Sequence, residues 1–404
     1  MTANERHING LAPSSVPHVP APSEERILTR DFILTCCGGF VLFSSFLLLL
    51  AILPLYLKDD LGGSDAEVGL IIGVFAFAAL FPRPFIGREI DRGGSKRFLI
   101  AGAVIFFVSS LLYLVATTIP LLMGVRVLHG LGMACFHTAA FTFIAELAPP
   151  TRRGEAMGMW GMMSTIATAI APYGGLLLRD AYGDSVVFIA GACCAAAALV
   201  LIAFVREPER EVAAPGNSSG GLIEPSVFGP ATIVLLVTLV YGATQSFILL
   251  YAEDRDIANT GLYFTSFAIA VFVSRLFGGR LADRRGRWTV ILPSLALMVV
   301  AMLILSVAGN LTLLLLVGAL FGLAFGAAQP ALTALAIDLV APSRRGAGMA
   351  TFTSAFEAGI GSGSIVMGIV AAQAGYATMF AVCAIFPAIA VVLGIRQQAA
   401  ARRV

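Results

Sequence analysis

The sequence predicts an all-α membrane protein of twelve transmembrane helices, arranged as two pseudo-symmetric six-helix bundles. Composition, the count of apolar segments and an internal repeat each point to it. Of 404 residues, 58% are hydrophobic and 12% charged, with a mean hydropathy of +0.90. Soluble proteins carry about 25% charged residues. A chain of this length with half that share cannot cover a water-facing surface, so its apolar outer surface faces lipid. The net charge of +2 predicts no nucleic-acid partner.

A bilayer-spanning helix needs about 20 apolar residues. Twelve segments qualify, numbered here as spans 1 to 12: 32–57, 66–86, 97–117, 120–147, 155–178, 185–205, 228–251, 259–279, 289–308, 311–339, 346–372 and 375–395. Residues 1–27 are polar with four prolines and no apolar stretch beside a cleavage site, which reads as a disordered tail rather than a signal peptide. Residues 206–227 contain a charged run, Arg206 to Glu211, followed by Pro215-Gly216-Asn217-Ser218-Ser219-Gly220-Gly221. This is a flexible linker, dividing the chain into bundles at 28–205 and 228–396 with a short tail at 397–404. The six cysteines all lie in apolar segments without metal-ligand spacing, and read as small packing residues.

The repeat has a spacing of 192 residues, the distance from Arg83 to Arg275. Arg83, Gly87, Arg88, Asp91, Arg92 and Gly94 recur as Arg275, Gly279, Arg280, Asp283, Arg284 and Gly286. Glu146-Leu147, Pro150, Arg152-Arg153-Gly154 and Met157 recur as Asp338-Leu339, Pro342, Arg344-Arg345-Gly346 and Met349. The register holds without a gap. Proteins built from such repeats place their substrate at the interface between the halves. Loops 2–3, 4–5, 6–7, 8–9 and 10–11 and both tails carry nearly all Lys and Arg, whereas the opposite side holds Lys58, Arg179 and Arg255. The positive-inside rule therefore puts both termini and the linker in the cytoplasm of a bacterial inner-membrane protein.

The two repeated loop blocks, Gly87-Arg88-Glu89-Ile90-Asp91-Arg92-Gly93-Gly94-Ser95-Lys96-Arg97 and Gly279-Arg280-Leu281-Ala282-Asp283-Arg284-Arg285-Gly286-Arg287, resemble the loop signature of the major facilitator superfamily (MFS). The resemblance covers 30–396. It implies a cytoplasmic gate in which Asp91 and Asp283 cap a helix of the other half, span 11 and span 5 respectively, in the outward-facing state. The glycines Gly87 and Gly279 suit close helix approach, and Glu146 and Asp338 belong to the same gating set. Arg126, His129, Gly130 and Gly132 on span 4 resemble the family's Arg-x-x-x-Gly-x-Gly pattern, which is absent from the second half, where Gly318 stands opposite Arg126. Gly158, Pro172 and Gly175 on span 5 resemble in part the pattern of exporters of the drug:proton antiporter type. Ala167, Ala171 and Leu176 occupy places where that pattern has glycine.

Candidate working residues follow from cost. An ionisable side chain inside a membrane is expensive and marks a functional position. Glu357 lies near mid-bilayer on span 11, with Thr353, Gly361 and Ser364 on its helical face. It is the candidate proton-coupling or substrate-charge residue, or else a structural partner of Arg126 or of another buried donor. Arg126 lies roughly 10 Å from the periplasmic end at 1.5 Å per residue, and is expected to face a cavity or a carboxylate. His129 and His137 titrate in the right range to assist a proton. Tyr241, Gln245, Gln329, Ser44 and Ser45 are candidate cavity groups. Trp160 with Met157, Met159, Met162 and Met163 reads as a pliable cavity wall or as simple core packing.

The sequence shows no phosphate-binding Gly-rich loop ending in Lys-Ser/Thr, no catalytic triad arrangement and no metal-ligand cluster. Neither an enzyme nor an ATP-driven pump is expected, and no cofactor. The expected partners are a small-molecule substrate, protons and the lipid bilayer, with the chain acting as a monomer. The leading expectation is proton-coupled efflux of a small amphipathic compound or metabolite by alternating access. The alternative is a proton-coupled importer of a sugar or organic acid on the same fold.

Overall fold

The computed structural model describes residues 27–149, 152–207, 223–341 and 344–401, apart from the side chains of Asp91, Arg280, Asp283, Arg345 and Ala401. The terminal tails beyond these limits and most of the 206–227 linker lie outside the described residues. Every regular element within them is helical. The first half contains α1 (Arg30–Asp59), α2 (Asp65–Leu80), α3 (Arg83–Gly93), α4 (Lys96–Leu112), α5 (Ile119–Leu147), α6 (Arg153–Tyr182) and α7 (Asp184–Ala203). The second contains α8 (Phe228–Glu253), α9 (Leu262–Arg285), α10 (Trp288–Ser306), α11 (Leu311–Asp338), α12 (Arg345–Cys383) and α13 (Ile385–Ala401).

These thirteen segments are the twelve expected spans with two local changes. Span 2 divides at Phe81–Pro82 into α2 and α3. Pro82 and Pro84 each lack a backbone donor, so the ladder cannot cross this point. Spans 11 and 12 join into α12 across Gly375, whose φ of 77° is not helical. Span 12 continues through α13.

The caps follow ordinary rules. Thr29 Oγ1 accepts from Phe32 N at 3.2 Å, and Asn310 Oδ1 accepts from Leu313 N at 2.9 Å. Ser64 and Glu67 form a reciprocal capping box at the start of α2, satisfying donors the first turn leaves free. Side chains such as Val108 and Leu111 on α4, Val200 on α7, Leu303 on α10 and Val392 on α13 are exposed. In water that surface would be a liability; in hydrocarbon it costs nothing.

The repeat is written into the backbone. Gly94 (φ 89°) matches Gly286 (φ 91°), and Gly183 (φ 83°) matches Gly375 (φ 77°), each 192 residues on. All four turn a helix end through the left-handed region that glycine enters freely. Helix packing repeats too. A methyl group at Gly130 would meet the Phe75 carbonyl oxygen at 2.6 Å, and one at Gly322 would meet that of Phe267, the equivalent residue, at 2.4 Å.

The halves meet most tightly at the face opposite the termini. There α2 lies against α12. A methyl at Gly69 would sit 2.2 Å from the Ser364 carbonyl oxygen, and one at Gly73 would sit 2.8 Å from that of Gly361. Tyr376 donates to Asp65 at 2.6 Å, and Lys58 pairs with the same carboxylate at 2.8 Å. The equivalent contact between α9 and α6 is bulkier, with Gly261 against Tyr173 and Leu176 and Thr265 Oγ1 donating to Ala169 O at 2.7 Å.

At the terminal face the expectation of close glycine contacts is corrected. Among the described residues, a methyl at Gly87, Gly279 or Gly158 would meet nothing within 4 Å, and α3 packs on α5 of its own half. These glycines border open space, so in this conformation they mediate no close approach.

Candidate functional site: a cavity between the halves

A cavity of about 290 Å³ lies between the bundles, lined from both: by α1, α2, α5 and α6 on one side and by α8, α9, α11 and α12 on the other, with Arg83 entering from α3. Its wall is largely aromatic. Phe46 stacks on Phe75 at 5.0 Å between centroids, and Tyr241 stacks on Phe325 at 4.6 Å. Stacked rings make a flat, apolar slot.

Glu357 lines this cavity. Its carboxylate is held by Arg83 Nη2 at 2.7 Å, with side chains 16% and 19% exposed respectively. The partner is therefore Arg83 rather than Arg126. The proline break before α3 turns the chain where Arg83 begins the new helix, and Arg83 is the residue that reaches across to α12. Of the residues on the Glu357 face, Ser364 is hydrogen-bonded to Ser246 at 2.9 Å, Gly361 packs on Phe77 and Thr353 is exposed. The cavity neighbours of Glu357 on α12 are instead Phe356 and Ile360.

The pseudo-symmetric position to Arg83 is Arg275, and that to Glu357 is Thr165. These two also meet: Arg275 Nη1 donates to Thr165 Oγ1 at 3.0 Å and to the Gly161 carbonyl at 3.4 Å. The cavity is thus flanked by two arginine clasps between the halves, one closed on a carboxylate and one on a hydroxyl.

Arg126 faces the cavity and is fully buried. Its Nε donates to Ile71 O at 3.2 Å, and its guanidinium lies 4.2 Å from the Phe75 ring centroid. Neither Nη1 nor Nη2 completes a hydrogen bond among the described residues. The Tyr113 hydroxyl lies close enough to interact with Arg126 and also meets His129 Nδ1 at 3.0 Å, so it is at most one neutral acceptor for the guanidinium. An arginine at a helix centre costs roughly 2.5–3.5 kcal/mol on insertion scales. A desolvated cation–π contact returns about 2 kcal/mol, but no carboxylate meets the two terminal nitrogens among the described residues. In the second half the corresponding space is filled. A methyl at Gly318 would lie 2.9 Å from the backbone oxygen of Tyr263, the counterpart of Ile71.

The remaining candidates divide. His137, Tyr241 and Gln245 line the cavity, and Gln245 Nε2 donates to Tyr241 Oη at 3.2 Å. His129 does not line it; its ring sits among Phe46, Phe75, Phe106 and Tyr113. Gln329 turns to Thr333 on its own helix. Ser44 bonds back to Phe40 O, and Ser45 spans to Gly191 O at 2.7 Å. Trp160 is 2% exposed against Phe43 and Phe136, a core residue of the first bundle and not a cavity wall.

The gating residues describe contacts within each half. Ser95 donates to Glu146 at 3.4 Å, and at the equivalent positions Arg287 donates to Asp338 at 3.1 Å. Arg92 pairs with Glu89 at 3.0 Å; Arg88 and Arg284 are exposed. The Asp91, Arg280 and Asp283 side chains lie outside the described ones, so the expected caps across the halves lie there too. In the exporter-like pattern, α6 runs through Pro172, a methyl added at Gly175 would meet Leu48 at 3.1 Å, and one at Gly158 would meet nothing within 4 Å among the described residues.

Sequence reasoning passed over Arg83, Arg275 and Thr165 as cavity residues. The signal was present: both arginines belong to the repeat, and Thr165 is the counterpart of Glu357.

A twelve-helix membrane protein with a polar-clasped cavity between two repeats has the architecture of a secondary transporter. The family model described as Major Facilitator Superfamily matches residues 35–261 and 231–401. The chain belongs to that superfamily and is a multi-pass MFS transporter. Among curated relatives, it is 28% identical over 353 residues to an uncharacterized MFS-type transporter of Methanocaldococcus jannaschii, covering 83% of this chain and 89% of that one. Among solved structures, a nucleoside transporter superposes with a TM-score of 0.75 at 14% identity, covering 91% of this chain and 99% of that one. A bacterial homolog of the human lysosomal transporter Spinster, inward-facing and unoccupied, also reaches 0.75 at 16% identity, covering 92% and 97%. These two likenesses concern the fold.

Proposed function

We propose that this transporter moves a small amphipathic compound through the central cavity by alternating access, with proton movement linked to Glu357. The observation that carries the reading is the Arg83–Glu357 pair, 2.7 Å across the two halves and inside the cavity. Protonating Glu357 removes the charge that holds Arg83, so one proton both alters the cavity and loosens a contact between the bundles. A carboxylate is the group best suited to that switch, because its charge can be removed at modest cost.

Export is the direction supported by Gly158, Pro172 and Gly175. Uptake of an organic acid together with a proton is the second reading, favoured by the excess of arginine over carboxylate in the cavity. The two differ in sign. In proteoliposomes with an imposed pH gradient, an antiporter accumulates substrate against the direction of proton flow, and a symporter accumulates it along that direction. Loss of the gradient effect on adding an uncoupler is expected in both cases; substrate flux indifferent to the gradient rules out proton coupling.

The bilayer orientation proposed is with both termini in the cytoplasm, supported by the basic residues of five loops on one side. Epitope tags at either end are then protected from protease in right-side-out vesicles. The chain is proposed to work as a monomer, since both halves of the cavity come from one polypeptide.

A further inference from the structure

The cavity is unbalanced in charge. Among its described lining residues, Arg83, Arg126 and Arg275 are cationic and Glu357 alone is anionic. Glu357 is committed to Arg83. Arg275 is met by a hydroxyl and a carbonyl, neither of which carries a charge. Arg126, fully buried, keeps two terminal nitrogens without a hydrogen-bond acceptor. An uncompensated cation as deeply buried as Arg126 is unfavourable unless a partner arrives, whereas Arg275 is exposed and pays less for its missing counter-charge. A neutral occupant leaves that imbalance in place, a cationic one enlarges it, and an anion reduces it.

The shape of the partner follows from the walls. A guanidinium presents a planar fork of donors matched to a carboxylate or a similar two-oxygen group. Beside the Arg126 fork lies Phe75, itself stacked on Phe46; across the cavity the Tyr241–Phe325 stack offers a second flat face. Resting on the reading of this cavity as the transport site, we infer that its substrate is an organic monoanion with an aromatic or otherwise flat apolar body, its acidic group bound by Arg126 and its charge shared with Arg275.

This assignment bears on direction. The groups sharing the cavity with Glu357 are Arg83, Arg126, Arg275, His137 and Tyr241. When Glu357 takes up a proton, Arg83 loses its carboxylate and the cavity gains one positive charge, so the anion binds more tightly. Linkage is reciprocal: the bound anion favours the protonated form. Proton and substrate load together, as in the symport reading.

The test uses the full chain, purified into nanodiscs for binding and into proteoliposomes for flux. The probes are benzoate and 1-naphthoate, with the matching amides and methylamines as neutral and cationic controls. The carboxylates are expected to bind at least tenfold more tightly than either control. Arg126→Gln is expected to lose at least tenfold in carboxylate affinity, the usual scale for a charge-assisted contact, and no affinity for the amides. Because a buried position can compromise folding, Arg275→Gln, at an exposed position, provides the second variant, with an expected loss of about threefold or more. Equal binding of carboxylate and amide, preference for the methylamine, or carboxylate affinity unchanged in both variants overturns the inference. Flux of amide or methylamine with carboxylate excluded also overturns it while leaving the transport reading standing. Tight carboxylate binding that is lost in the variants, with no flux of any probe, supports the anion site and overturns the transport reading.

Discussion

Arg83 and Glu357 meet at 2.7 Å across the two bundles, and their counterparts 192 residues away, Arg275 and Thr165, meet at 3.0 Å without a carboxylate. The fold supplies two equivalent places for a clasp, and the sequence charges only one of them. A single charged clasp gives one titratable contact and leaves the second arginine available to a ligand.

Glu357→Gln keeps the shape of the side chain and removes its titration. Flux driven by a pH gradient is expected to fall at least tenfold, with substrate binding still measurable by calorimetry. Gradient-driven flux equal to the parent protein would reject Glu357 as the coupling residue.

Thr165→Glu places a carboxylate where Arg275 already reaches, and creates the missing second ion pair. A partly buried pair of this kind strengthens the contact between α6 and α9, so opening between the bundles becomes slower. Transport is expected to drop several-fold, and spin labels on α6 and α9 near the terminal face should report a shorter mean separation. An unchanged distance distribution would count against the clasp.

Gly69→Ala adds a methyl 2.2 Å from the Ser364 carbonyl oxygen, in the tightest contact between α2 and α12. Overpacking of this kind costs about 1–3 kcal/mol. A lower unfolding temperature and greater labelling of cysteines introduced at that face are expected. Gly174→Ala is the control: among the described residues nothing lies within 4 Å of its added methyl, so no overpacking is expected and the helix gains up to about 1 kcal/mol from losing glycine.

Glu224, just before α8, pairs with Arg344, one of the repeated arginines, and accepts from Ser226. These contacts hold its carboxyl below the usual carboxylate range, the Arg344 hydrogen bond contributing most. A depressed value means the tether is fully present above the ordinary carboxylate pKa and is lost as pH falls through the lowered one. A nitroxide at residue 223 should be immobilised at neutral pH and released in acid. In Glu224→Gln it should be mobile throughout; a parent-like pH transition in that variant would reject the tether.

Much of the architecture was legible from local signals. Apolar length alone located all twelve spans, because lipid tolerates no unsatisfied backbone and each crossing must be a continuous helix. The repeat located the equivalent positions, Gly183 and Gly375 among them, yet their shared left-handed backbone emerged only from the structure. Proline placement explains the division of span 2, though the consequence, the delivery of Arg83 to Glu357, depends on which helix lies opposite. For the candidate site, the sequence offered residues one at a time and not the arrangement they take up. His129 and His137 share one helix and look alike in sequence; one is enclosed by four aromatic rings and the other reaches the cavity.

The sequence by itself determined that this chain crosses the membrane twelve times as two related halves, and it put Glu357 and Arg126 within spans, where a charge is costly. Those are properties of single segments, set by hydrophobicity and spacing. Only the tertiary structure decided that Glu357 is paired with Arg83, that Arg126 has donors to spare, and that the cavity carries more positive than negative charge. Those are relations among side chains far apart in the chain, brought together by the packing of one bundle on the other.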